Sequence, residues 1–258
     1  MESIIRNVGK WGNSAGVLLP KEWAGNQVNI ILIERTEEIK KEVFDILADK
    51  LEEIMGIYLV GSYARAEMRE DSDIDIVAIS SNLREEIVSG KYHISVIPID
   101  IARRNIKKNP LMLLPRLIEA KVLLNRHLLS ELKKIKFEKG FIKRYIDETK
   151  DIMKINSGLL ELNKIEKYTD NEILYSLVLR IRGIFILNCL LNKKSYSNKL
   201  FFKNLEKGVG KNESKEIYRI YKSYRADKKI DRKIKLETGR KLLEILRKDI
   251  KDARWQSE

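Results

Sequence analysis

Two short apolar runs, IYLV at 57–60 and IDIVAIS at 74–80, flank the polar stretch GSYARAEMREDSD. Runs of four to seven aliphatic and aromatic residues bounded by turn formers read as buried strands. The chain therefore leaves one strand at Gly61-Ser62, passes a short helical start over 63–68, and enters the next strand beside Asp73. Side chains alternate across a strand, so Asp73 and Asp75 share one face while Ile74 and Ile76 point the other way. Two carboxylates on one face can hold a divalent cation, which prefers oxygen ligands and completes its shell with water and phosphate oxygens. A glycine at the strand end lets backbone approach a phosphate, Ser62 can donate its hydroxyl, and the first amides of a helix attract anions. Metal-aided phosphoryl or nucleotidyl transfer needs these parts. The same residues also fit a capped helix and a solvated turn, and Asp-x-Asp alone does not separate the two.

The pattern around this stretch is mixed. Ile39, Val43, Ile46, Leu47, Leu51, Ile54 and Met55 follow helical spacing, with Thr36 as N-cap and Gly56 as stop. HISVIPI at 93–99 is a third strand whose Pro98 marks a sheet edge or a bend. Residues 101–120 look helical with a break at Asn109-Pro110, and KVLL at 121–124 is a short strand. From about Ser130 the pattern is helical, over 138–166, 170–192, 197–207, 213–226 and 234–254.

Composition narrows the setting. A 43% hydrophobic fraction supports a real core. No run of about 18 apolar residues is evident, and MESIIRNVGK has no basic region followed by an apolar one, so neither a membrane span nor a signal peptide is expected. The single cysteine, Cys189, lies in IFILNCLL and reads as a core residue. These features point to the cytoplasm. The net charge of +13 is uneven: residues 1–132 carry −2 and residues 133–258 carry +15. A basic half suits an anionic partner, nucleotide or nucleic acid, and equally a lysine-rich solvated surface.

Gly61, Ser62, Ala64, Arg65 and Glu67, followed by Asp71, Ser72, Asp73 and Asp75, resemble the pattern of the nucleotidyltransferase superfamily related to DNA polymerase β, in particular its minimal members. Ala66 stands where that pattern has glycine. The resemblance covers residues 40–125 and implies magnesium or manganese at Asp73 and Asp75, ATP held by Gly61, Ser62 and Arg65, and a third carboxylate on a later strand. That position falls at Ser95, so Asp100 is the nearest substitute; as a residue beside a helix start, Asp100 also fits an N-cap.

KWGNSAGVLLPKEW, through Trp11, Gly12, Asn13, Ser14, Pro20, Lys21 and Glu22, resembles AbrB/MazE-type swapped-hairpin modules. These pair as dimers and many bind DNA. Read from the residues alone, IIRNV, AGVLL and VNIILI are three short strands, and about 35 residues make a core too small to stand without a partner. Arg6, Lys10, Lys21 and Arg35 are its few basic residues, which limits phosphate contact. The expected fold class is therefore α+β: an N-terminal β-hairpin module (1–35), an α/β domain with a mixed sheet (36–128) and an all-α helical domain (129–258).

Within the helical part, Arg180 and Arg182 sit in the apolar stretch SLVLRIRGIFILNCLL, where they hold a substrate carboxylate or phosphate or serve the structure. Tyr218, Tyr221 and Tyr224 form one helical stripe between Arg219, Lys222 and Arg225, a pattern more common in cores than in base-stacking platforms. The leading expectation is transfer of AMP from ATP to an acceptor hydroxyl. The alternatives are a DNA-binding regulator or antitoxin with an inactive transferase domain, and an antitoxin enzyme that adenylylates a partner toxin. RNA, protein and small molecules all stand open as acceptors.

Overall fold

The computed structural model describes the chain apart from residues 1–3, 5, 7, 31–35, 69–71, 163–166, 226–227, 229–231 and 255–258, and apart from the side chains of residues 10, 253 and 254. Contacts divide it into Met1–Glu52 and Glu53–Glu258.

In the first unit β1 (Gly9–Trp11) and β2 (Ser14–Gly16) pair as an antiparallel hairpin, Trp11 opposite Ser14. Gly12 has a φ of 58°, the positive value a tight type II′ turn requires at its first central position. The Ser14 hydroxyl donates to the Trp11 carbonyl at 3.0 Å. The turn needs only two residues, so pairing begins inside the GKWGNS segment itself. The strand expected over 28–33 is absent at 28–30, and 31–33 lie outside the described residues. α1 (Thr36–Ile46) buries Ile39 and Val43. It ends sooner than the periodicity suggests: Ala48–Glu53 tightens into a 3-10 helix, and Ile54, Met55 and Gly56 already belong to a strand.

That strand, β3 (Ile54–Val60), opens the second unit's sheet. The one-turn α2 (Gly61–Ala64) leads toward β4 (Ile74–Ser80); β5 (Glu85–Ser89) and β6 (Tyr92–Pro98) follow. α3 (Ile99–Lys108) and α4 (Pro110–Glu119) break at Asn109-Pro110 as the sequence indicates, with Pro110 at the first helical position. β7 (Lys121–Leu124) precedes α5 (Arg126–Lys134), whose Asn125 cap accepts the Leu128 amide at 3.0 Å. The sheet runs β5-β6-β4-β3-β7, parallel only between β4 and β6, and is therefore mixed. Gly56 ends no helix. A Cβ there would lie 2.3 Å from the Tyr58 hydroxyl, which instead reaches the Asn125 carbonyl at 3.1 Å.

The helical part comprises α6 (Lys139–Leu162), α7 (Asn171–Leu191), α8 (Asn198–Val209), α9 (Lys211–Arg225) and α10 (Leu236–Arg254). β8 (Tyr168–Thr169) and β9 (Ile234–Lys235) pair across it. α7 is long and apolar enough to cross a membrane, which the sequence reading overlooked. Leu174, Leu177, Ile181 and Ile184 of this helix lie in the protein core, so its apolarity is that of a central helix. Cys189 is buried and free. One core cluster runs from Tyr58, Val60, Val77 and Ile79 on the sheet through α3–α5 into α6–α10. Contacts part at 52/53, beyond the boundary expected at 35/36, and the core runs on across the position of the one expected at 128/129.

Candidate active site

The site forms where β3 and β4 open toward the helices. Val60 pairs with Asp75, and Tyr58 with Val77, so Asp73 and Asp75 lie on the same face as these core residues. Gly61 turns the chain with a φ of 72°. A Cβ on Gly61 would lie 2.3 Å from Asp75 Oδ2 and 3.1 Å from its Cγ, so bare backbone is what lets the carboxylate sit there. Ser62 follows, half-buried.

Asp73 is exposed at the mouth and Asp75 is half-buried. Burial holds the Asp75 pKa above the ordinary carboxylate value, against the pull of Arg116, Arg225 and His93; the charge of Asp73 raises it further. Arg116 comes from α4, Arg225 from the end of α9, and His93 is Asp75's partner on β6. Neither aspartate accepts a hydrogen bond from a described residue. A half-buried carboxylate in that condition, with an exposed one beside it, offers hard oxygens to magnesium or manganese and leaves room for water and phosphate oxygens. Among the described residues no third metal-binding side chain joins them, and Asp71 lies outside those residues.

Asp100 does not complete the pair. It lies in the first turn of α3, beyond Pro98, which pairs with Ser80. Asp75 pairs with His93, five residues before Pro98, so Asp100 lies beyond a point about 16 Å along the sheet from Asp75. A carboxylate in a first turn favours the helix N-terminus, which is the role this position supports. Ser95, level with Val77, donates its hydroxyl to Glu86 of the edge strand β5 at 2.9 Å.

Arg65 faces inward, onto two carboxylates. Its Nη1 donates to Glu119 at 2.6 Å and its Nε to Glu67 at 2.9 Å, and its side chain is 13% exposed. A guanidinium this buried requires such partners. Burial disfavours its charge, but Glu119 and Glu67 outweigh that and raise its pKa. Glu119 also accepts the Gly61 amide at 3.0 Å, so the amide expected to be open to an anion is occupied.

Arg180 and Arg182 are separated around α7 by about 200°. Arg182 donates to the Tyr196 hydroxyl at 2.8 Å and lies 4.9 Å from that ring's centre, while Arg65 lies 5.6 Å from the same ring. The charge of Arg180 instead bears on Tyr145 of α6, where it opposes the rise that burial gives the hydroxyl's pKa. The tyrosine stripe packs against the core at its middle: Tyr221 is buried, while the half-buried Tyr224 stacks on Tyr175 and the half-buried Tyr218 meets the edge of Phe202. Sequence reasoning missed Arg116, Glu119 and His93. Only the one-turn spacing of Arg116 and Glu119 at the end of an otherwise apolar helix hinted at them.

Comparison with known proteins gives the following likenesses. The family profile described as polymerase beta, nucleotidyltransferase matches residues 41–129. A chain from Methanocaldococcus jannaschii, provisionally named a protein adenylyltransferase, is 34% identical over 87 residues, covering 84% of that protein and 30% of this one. Among solved structures, spectinomycin adenyltransferase from Enterococcus faecialis with ATP and spectinomycin aligns with a TM-score of 0.45 at 14% identity, over 84% of this chain and 99% of that one. A nucleotidyltransferase-like protein from Exiguobacterium sibiricum aligns at 0.38 and 10% identity, over 86% and 76%.

Proposed function

The chain belongs to the polymerase beta nucleotidyltransferase family, and from that premise we propose that it moves AMP from ATP to an acceptor hydroxyl, with a divalent cation at Asp73 and Asp75. The observation that carries this reading is the pair of carboxylates on one sheet face, the inner one seated on the Gly61 backbone with no hydrogen bond from the described residues. Magnesium or manganese there would supply charge neutralisation for the phosphates. Gly61 seats the Asp75 carboxylate that would face the triphosphate, and the half-buried Ser62 would offer the phosphates a hydroxyl. Arg116 and Arg225, both within the field of Asp75, suit the charge that develops on the leaving pyrophosphate. Arg182 serves the wall of the site through Tyr196.

The name of the Methanocaldococcus relative favours a protein acceptor, a partner toxin included. The +15 charge of residues 133–258 suits an acidic surface on it. Labelled ATP with either metal and a cell lysate would identify what becomes labelled. Asp73→Ala is expected to abolish the label; full labelling by that variant would sink the assignment.

A second reading has one specific support: with Ser95 bonded to Glu86 and Asp100 at the far end of the sheet, the described residues supply no third carboxylate. In that reading the transferase domain is inactive and the N-terminal module makes the protein a DNA-binding regulator. Salt-sensitive gel shifts lost on removal of residues 1–35, with no nucleotidyl transfer, would favour it. Under either reading the N-terminal module is proposed to join two copies as a homodimer.

A further inference from the structure

Glu67 is the point where the motif loop meets the helical part. One of its oxygens accepts the hydroxyl of Ser197, the N-cap residue of α8, and the other accepts the Asn198 amide at 3.2 Å. That second oxygen also accepts Arg65 Nε, and Arg65 Nη1 reaches Glu119, which takes the Gly61 amide. Gly61 is the backbone on which the Asp75 carboxylate rests. The bonds thus run without interruption from the start of α8 to the wall of the metal-type site.

Three properties make this chain more than incidental surface contact. Its charged members are sheltered, with side-chain exposures of 19% for Glu67, 13% for Arg65 and 5% for Glu119. Charge-assisted bonds in such surroundings are stronger than neutral ones and reinforce one another. The segment carrying Ser197 is also gripped from its other side, since the ring of Tyr196 lies beside both Arg65 and Arg182. Finally, a carboxylate at the N-terminus of a twelve-residue helix is favoured by the helix dipole, so Glu67 fixes α8 while it fixes Arg65.

We infer that Glu67 is a positioning residue that couples the start of α8 to the Gly61 turn, so that the seating of the helical part sets the position of Asp75. The structural coupling stands by itself; its effect on rate rests on the nucleotidyl-transfer reading above.

Hydrogen exchange resolved to single amides, on the full chain without ligand, tests the coupling. Glu67→Gln and Ser197→Ala are each expected to quicken exchange at Asn198 and also at Gly61 by about tenfold. Amides of β6 should keep their rates, and Ser197→Thr should restore both sites. Quickening at Asn198 with Gly61 unchanged would reduce Glu67 to a local cap and overturn the inference. If Glu67→Gln fails to fold, Ser197→Ala decides by the same comparison, because it deletes the hydroxyl that Glu67 accepts while keeping the Tyr196 ring beside Arg65. In transfer assays both variants should lower kcat by about tenfold while KM for ATP moves less. A wild-type protein that transfers nothing would sink the catalytic reading and leave the exchange result to decide the coupling.

Discussion

Ala66 holds a left-handed φ of 54° between the motif's Arg65 and Glu67. An L-residue with a Cβ pays roughly 1 kcal/mol for that conformation. Glycine, the residue the family pattern has there, relieves it and loses part of the gain to a freer unfolded chain. Ala66→Gly is therefore expected to raise stability by about 0.5 kcal/mol, seen as a higher urea midpoint at unchanged slope. Local rules account for the legible residues: alternation put Asp73 and Asp75 on one face, and a turn after an apolar run flagged Gly61. The inward direction of Arg65 was not legible because it depends on Glu119, a residue 54 positions away that only tertiary packing brings near. The company of Arg116 and Arg225 around Asp75 was illegible for the same reason.

Elements with a strong period were legible and those without were not. The five long helices follow their apolar spacing, and the Asn109-Pro110 break is where α4 begins. β5 escaped notice because an exposed edge strand reading EEIVS needs no apolar alternation. α10 carries a charge whose setting gives a pH signature. Burial, and then Asp252, push the Asp249 carboxyl up to about 6 against the pull of Lys248. The folded protein then holds a proton that the unfolded chain releases near pH 4. That contribution is fully present below about pH 4 and is lost as the pH rises to about 6. Asp249→Asn should accordingly add about 1–2 kcal/mol at pH 7 and nothing at pH 4, once the water still reaching this half-buried group is allowed for. Urea titrations at both values check it, and an equal gain at both would refute the cause.

At the scale of the molecule, the first unit leaves Val8, Trp11, Leu18, Val28 and Ile30 exposed. So much open apolar surface on a unit with one three-residue hairpin is what a paired module would cover. Deleting residues 1–35 is expected to convert a dimer into a monomer in sedimentation equilibrium; a truncated protein that stays dimeric would place the contact elsewhere.

The second unit closes on itself through β8 and β9, where the Thr169 hydroxyl and the Lys235 carbonyl meet across 66 residues. This ladder hands over α10, whose Leu242, Leu243, Leu246 and Ile250 fill the centre of the helical core. During synthesis, every strand of the five-stranded sheet has emerged by Leu124, whereas α6 to α9 must wait for a helix that starts at Leu236. At ribosomal speeds of about 5–20 residues per second, that interval of about 110 residues lasts roughly 5–20 s. For that time the nascent chain carries a sheet able to pair and a half-built bundle with its apolar side open, which is the stage at which a chaperone has something to hold.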